Sequence, residues 1–158
     1  MGLDMYLYAE KYESCGSWHN NYEKKKKNFY PKKLESFQNN IDQRNFLSKE
    51  VFYQIGYWRK ANAIHQWFVD NCAEGEDDCR KVYVSKEQLE SLLSLCEEVL
   101  KDHSKASELL PTQSGFFFGG LEYDEWYFQD LEYTRDLIKS ILDANILKEY
   151  EIYYQASW

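Results

Sequence analysis

The chain has 158 residues, 44% of them apolar and 18% aromatic, with 27 acidic against 19 basic side chains and a formal net charge of −8. That length suits one hydrophobic core. The acidity argues against broad nucleic-acid binding, since like charge repels a phosphate backbone, and no apolar run approaches the roughly 18 residues that span a bilayer, so no membrane partner is expected.

The charge is uneven. Residues 1–48 hold eight Lys/Arg against six Asp/Glu, and residues 49–158 hold eleven against twenty-one. Such an acidic surface serves solubility; mimicry of nucleic acid towards a basic partner is the alternative. Four cysteines, Cys15, Cys72, Cys79 and Cys96, form no C-x-x-C pair, so no metal or cofactor is expected. The start, Met1-Gly2-Leu3-Asp4, has no basic and no apolar region of a secretory signal. A cytoplasmic protein with reduced thiols is the expectation.

Residues 2–9 alternate as a strand, with Leu3, Met5 and Leu7 on one face and Asp4, Tyr6 and Tyr8 on the other. From about 12 to 48 the pattern dissolves into polar runs, among them Asn20-Asn21, Lys24 to Lys27 and Asn39-Asn40. This stretch reads as an irregular insert in a single domain spanning 1–158, and the lysine run as a solvated face. Glu50 to Gly56 reads as a second strand, and Gly56 as the turn into a helix over 57–72. On that helix Ala61, Ile64, His65, Phe68 and Cys72 share an apolar arc, and Trp67 falls well off it.

The acidic stretch from Asp70 to Cys79 does not follow the EF-hand spacing and reads as a surface loop. Val82-Tyr83-Val84 suits a short strand. Ser85 and Gln88 form a capping box at the start of a helix over 85–102, whose apolar face includes Leu89, Leu92, Cys96 and Val99. Phe116-Phe117-Phe118 reads as a buried strand, and Gly119-Gly120 as a place of close backbone approach. A third helix over 124–144 carries the stripe Tyr127, Leu131, Thr134, Ile138, Ile141 and Leu142, and stops at Asn145. Residues 149–155 close the chain as a strand. The expected fold is α+β: a small, mainly antiparallel sheet of N-terminal, middle and C-terminal strands, covered by about three α-helices.

Several segments together resemble a family of short bacteriophage and prophage proteins. They are Met1-Gly2-Leu3-Asp4-Met5-Tyr6-Leu7, Tyr57-Trp58-Arg59-Lys60-Ala61-Asn62-Ala63-Ile64-His65, Leu110-Pro111-Thr112-Gln113-Ser114-Gly115-Phe116-Phe117-Phe118-Gly119, Glu122-Tyr123-Asp124-Glu125-Trp126-Tyr127 and Tyr154-Gln155-Ala156-Ser157-Trp158. The likeness spans nearly all of the chain except the insert. It implies a protein of a bacterial or phage-infected cell and carries no activity with it.

The stretch from Tyr57 to Phe68 concentrates the chemically capable side chains. In a binding protein for a small anionic ligand, Arg59 or Lys60 meets the anion, Trp67 or Trp126 stacks, and Asn62 reads polar edges. In an enzyme, His65 acts as general base, oriented by Asp4 or Asp124. In an interaction protein, the acidic, Tyr-rich surface occupies a host protein. Binding or interaction ranks above catalysis, because no nucleophile pair, metal set or phosphate loop is legible. The expected pocket lies at the N-terminal half of the central helix, walled by Gly115 to Gly120 and Glu122 to Glu125.

Overall fold

The computed structural model describes residues 2–18, 20–42 and 46–158, with the backbone alone for 39–42. Met1 of the opening motif and the Asn39-Asn40 side chains lie outside the described residues. In chain order the elements are β1 (Asp4–Gly16), α1 (Tyr22–Lys26), α2 (Glu35–Asp42), β2 (Phe46–Arg59), α3 (Asn62–Cys72), β3 (Val82–Val84), α4 (Lys86–Lys101), α5 (Ala106–Leu109), α6 (Glu125–Asp143) and β4 (Glu151–Ser157). The strands form one antiparallel sheet in the order β2-β1-β4-β3, and the fold is α+β. Val82 pairs with Tyr154 and Val84 with Ile152 across the last two strands. No described helix is long and apolar enough to cross a membrane.

The chain divides into two compact units, residues 1–9 with 53–158, and residues 10–52. In the larger unit, alternation decides the faces. Leu3, Met5, Leu7 and Ala9 of the N-terminal stretch, with Ile152, Tyr154 and Ala156 of β4, point into the core. Helices α3, α4 and α6 supply the other layer through Phe68, Leu89, Leu92, Val99, Leu131 and Ile138. The capping box at Ser85 forms as expected, with Gln88 N–H donating to Ser85 Oγ and Ser85 N–H to Gln88 Oε1. Asp124 caps α6 by accepting from Tyr127 N–H, and Asn145 takes the left-handed conformation just after α6. Tyr6, Tyr8, Tyr57, Tyr83 and Tyr153 alternate out of phase with the core positions of their strands. Tyr6 stacks on Tyr8, and Tyr83 meets Tyr153 edge-on.

Three expectations are corrected. Tyr57, Trp58 and Arg59 belong to β2, and the helix begins only at Asn62. β-branched and aromatic residues from Val51 to Trp58 favour extended backbone, and Lys60, with φ +61°, breaks the strand. Phe116 to Phe118 form a turn, in which Phe116 is 94% exposed while Phe118 is buried. Trp67 is buried, meeting Phe68 edge to face, because α3 is covered well beyond one stripe and buries seven of its eleven residues.

The smaller unit is not irregular: β1 runs on to Gly16, β2 starts at Phe46, and α1, a 3₁₀ turn at Lys32–Leu34 and α2 lie between them. Its ordering is largely polar. Gln38 accepts from Tyr30 N–H and donates to the Lys26 carbonyl, Tyr30 donates to the Ser48 carbonyl, and Lys49 pairs with Glu13. Cys15 and Leu47 are its fully buried apolar side chains among the described residues. Sequence periodicity carries no trace of such an arrangement.

Phe68 is 1% exposed and stacks on Tyr154 with ring centroids 4.0 Å apart. Phe68→Ala is expected to cost about 3–5 kcal/mol, read as a fall in the denaturant midpoint at unchanged slope.

Candidate functional site

The chain passes from strand to helix within two residues, and that turn shapes the site. Lys60 N–H donates to the Leu3 carbonyl, and the Lys60 carbonyl accepts from Asn62 N–H around Ala61 at φ −76°, ψ 68°, an inverse γ-turn. Helix α3 therefore starts with no side-chain cap, leaving the first-turn N–H groups of Ala63 and Ile64 at the end favourable to negative charge. Arg59 and Lys60, both exposed, stand immediately before it.

Asn62 holds the opposite wall in place. Its Nδ2 donates to the carbonyls of Phe118 at 3.0 Å and Gly120 at 2.8 Å, and its Oδ1 accepts from Gln113 N–H at 2.9 Å. The 112–120 loop is thereby tied to the start of α3. Gly119 lies so close to Lys60 that a Cβ there would sit 3.1 Å from Lys60 Cβ, and its φ of +92° suits glycine alone. Further along, Thr112 Oγ1 donates to the Leu121 carbonyl and Tyr127 Oη to the Leu110 carbonyl.

Between these walls is a cleft of about 300 Å³. Ala61, Ala63, Ile64, Tyr127 and Leu131 give it apolar lining; Arg59, Lys60, Thr112, Glu122, Asp124 and Asp130 give it polar groups; Trp126, 74% exposed, stands at the edge. Arg59 and Lys60 form no ion pair among the described residues, and the Asp130 carboxylate accepts no hydrogen bond from them. Burial, with a smaller contribution from the like charge of Asp124, pushes the Asp130 carboxyl up to about 6.

The structure thus gathers Arg59, Lys60, Asn62, Asp124 and Trp126 around one cleft. It assigns two of them other work: Asn62, 4% exposed, spends its amide on the loop, and Asp124 caps α6. Trp67 lies in the core, away from the cleft lining. Asp130 was not singled out by sequence reading. It follows the Tyr127–Leu131 apolar stripe on α6 and looks like any outward-facing acid.

His65 does not join the cleft, and neither Asp4 nor Asp124 is its partner. Its Nε2 lies 3.0 Å from Asp77 Oδ2 and its Nδ1 2.7 Å from Tyr154 Oη. Burial holds the Tyr154 hydroxyl well above its ordinary pKa, so it stays a donor. In the neutral ring, Nε2–H then donates to the carboxylate and Nδ1 accepts from the hydroxyl. Trp158 Nε1 donates to the other Asp77 oxygen at 3.1 Å, and Phe118 lies edge-on to the imidazole. Every polar atom of this chain of groups is occupied and His65 is 1% exposed, so it reads as a core histidine. Asp4 accepts instead from the Tyr57 hydroxyl.

The thiols of Cys72 and Cys96 are pushed up to about 12 by burial, so neither offers a thiolate near neutral pH. Among the described residues no group of three or more His, Cys, Asp or Glu is placed to hold a metal ion. Comparison with protein-family models, curated proteins and solved structures found no match.

Two outcomes follow from these environments. His65→Ala leaves the buried Tyr154 hydroxyl without its acceptor and is expected to cost at least about 1–3 kcal/mol, measured by denaturant unfolding. For Asp130, the folded-state pKa of about 6 lies above the ordinary 3.8. The native state therefore binds the extra proton, and stability falls as pH rises from about 4 to about 6. Asp130→Asn removes that fall, so its melting midpoint should gain on the wild type across this window and hold the advantage at pH 7. A constant difference from pH 4 to 7 would show that the carboxyl is not perturbed.

Proposed function

We propose that the protein binds a small ligand carrying an anionic group, in the cleft between the start of α3 and the start of α6. The observation that carries this reading is the pair Arg59 and Lys60. They stand beside an uncapped helix N-terminus, line one cleft, and pair with no described carboxylate, although the chain has eight more acidic than basic side chains. A guanidinium can grip a carboxylate or phosphate with two parallel hydrogen bonds, and helix N–H groups add donors of the same polarity. Trp126 at the edge offers a face for stacking. The closed Asp77–His65–Tyr154 set weighs against general-base catalysis by His65. The resemblance to phage and prophage proteins favours a role inside a bacterial or infected cell, in the cytoplasm.

The test is a melting-temperature screen of the wild-type chain against small carboxylates, phosphates and sulfates, with and without amine groups, at millimolar concentration. At least one member should raise the midpoint by several degrees, since ligand at about 100 times its Kd adds roughly 2.7 kcal/mol. Arg59→Ala should abolish that rise while its own unliganded midpoint stays within about 0.5 kcal/mol of the wild type, as expected for an exposed side chain. A rise that survives in Arg59→Ala, or no rise for any compound, would sink the reading.

A further inference from the structure

The cleft carries both signs of charge and keeps them apart. Arg59 and Lys60 occupy the end of β2 and the turn before α3, whereas Asp130 lies on the second turn of α6, half-buried. Neither cation forms an ion pair with Asp130 or with any other described carboxylate, and the Asp130 carboxylate takes no hydrogen bond from a described residue. The other two acids of the lining differ from it. One oxygen of Asp124 is engaged by Tyr127 N–H, and Glu122 is exposed to water.

We infer that the ligand is a zwitterion, with an oxyanion held at Arg59 and Lys60 and a protonated amine held by Asp130. This rests on the anion-binding reading of the same cleft and narrows it. A ligand with only an anionic group would cover Asp130 and leave a carboxylate enclosed without a counter-charge, which is costly. It would also bring a second negative charge towards a site already lined by three acids. An ammonium next to Asp130 removes both penalties and gives the carboxylate the donor that the protein withholds. The size agrees. About 300 Å³ is at the lower end for small-molecule sites, which suits an amino acid or an amino-phosphate and excludes a dinucleotide. The exposed face of Trp126 gives an apolar or cationic part of the ligand a surface at the edge of the cleft.

The ligand's oxyanion is a carboxylate or a phosphate, and matched probes distinguish them. One set is phenylalanine, 3-phenylpropanoate without the amine, and phenethylamine without the carboxylate. The other is phosphoethanolamine, ethyl phosphate and ethylamine. Affinities of all six for the full chain are measured by titration calorimetry at pH 7.5. In at least one set, the member with both charges should bind about tenfold or more tighter than either truncated relative, because each truncation leaves a charged group of the cleft unpaired. Asp130→Asn should erase the advantage over the amine-free probe and keep the advantage over the oxyanion-free one; Arg59→Ala should do the reverse. A cooperative melting transition no lower than about the wild-type midpoint confirms that each variant folds. If the amine-free probes bind as tightly as the zwitterions, or if Asp130→Asn leaves the ratio unchanged, the inference is overturned while the anion site stands. If none of the six binds, the inference is overturned as well, and the anion reading is judged by its own screen.

Discussion

The cleft depends on one side chain, the amide of Asn62. A buried amide must satisfy two donor directions and an acceptor, and here all three partners belong to the 112–120 loop. The loop is also tied by Leu3 N–H to the Phe117 carbonyl and by Thr112 Oγ1 to the Leu121 carbonyl, but Phe118 is its one buried large apolar side chain and Phe116 is open to water. Asn62 thus converts a glycine-containing turn segment into a fixed wall. The same bonds explain why the amide cannot read a ligand, as its position beside two cations would suggest: it is already spent.

The strand-to-helix turn beside it explains most of what the sequence concealed. A helical wheel started at Trp58 assumes that Tyr57 to Lys60 are helical, whereas they end a strand. Shifting the start to Asn62 leaves the core positions Ile64, His65 and Phe68 in register, so the central helix was legible even with its first turn misassigned. What a wheel cannot show is how many sides are covered. Trp67 falls well off the apolar arc on the wheel and so suited a stacking role at a ligand, yet α3 is buried on seven of eleven positions. The elements defined by local chemistry were read closely: the capping box at Ser85, the stripe from Tyr127 to Ile141, the Asn145 stop and the alternating N-terminal strand. Those signals are spaced two to four residues apart, within the reach of propensity and periodicity.

Partnerships over long separations were not legible. His65 meets Asp77 and Tyr154, 12 and 89 residues away, and nothing in the acidic stretch from Glu74 to Asp78 marks the first of its aspartates as the one turned inward. Asp4 and Asp124 were credible partners by type alone, and each has another occupation. The polar ordering of residues 10–52 was equally hidden, because Gln38 and Lys49 act through carbonyls and carboxylates that no hydrophobic pattern records. The location of the cleft was legible, since backbone groups at a helix start, adjacent cations and a glycine pair that permits close approach were all visible in the sequence. Its acidic side was read only in part: Glu122 and Asp124 were expected, Asp130 was not.

Two sets of ionisable groups in the larger unit now stand in contrast. Around His65, four groups in series satisfy one another, and a set so closed has no free valence for a substrate. Around the cleft, two cations and a half-buried carboxylate are near enough to line one volume, yet no pairing among the described residues joins them. Stability alone does not favour the second arrangement. An exposed pair gains at most about 1 kcal/mol, but a half-buried carboxylate pushed up to about 6 is a cost that a nearby lysine or arginine would relieve. The Lys60 backbone is set by its left-handed conformation, its bond to Leu3 and the close approach of Gly119, and Asp130 lies on α6 between the core residues Tyr127 and Leu131. Unpaired charges of both signs along one cleft are what the proposed zwitterionic ligand would complete.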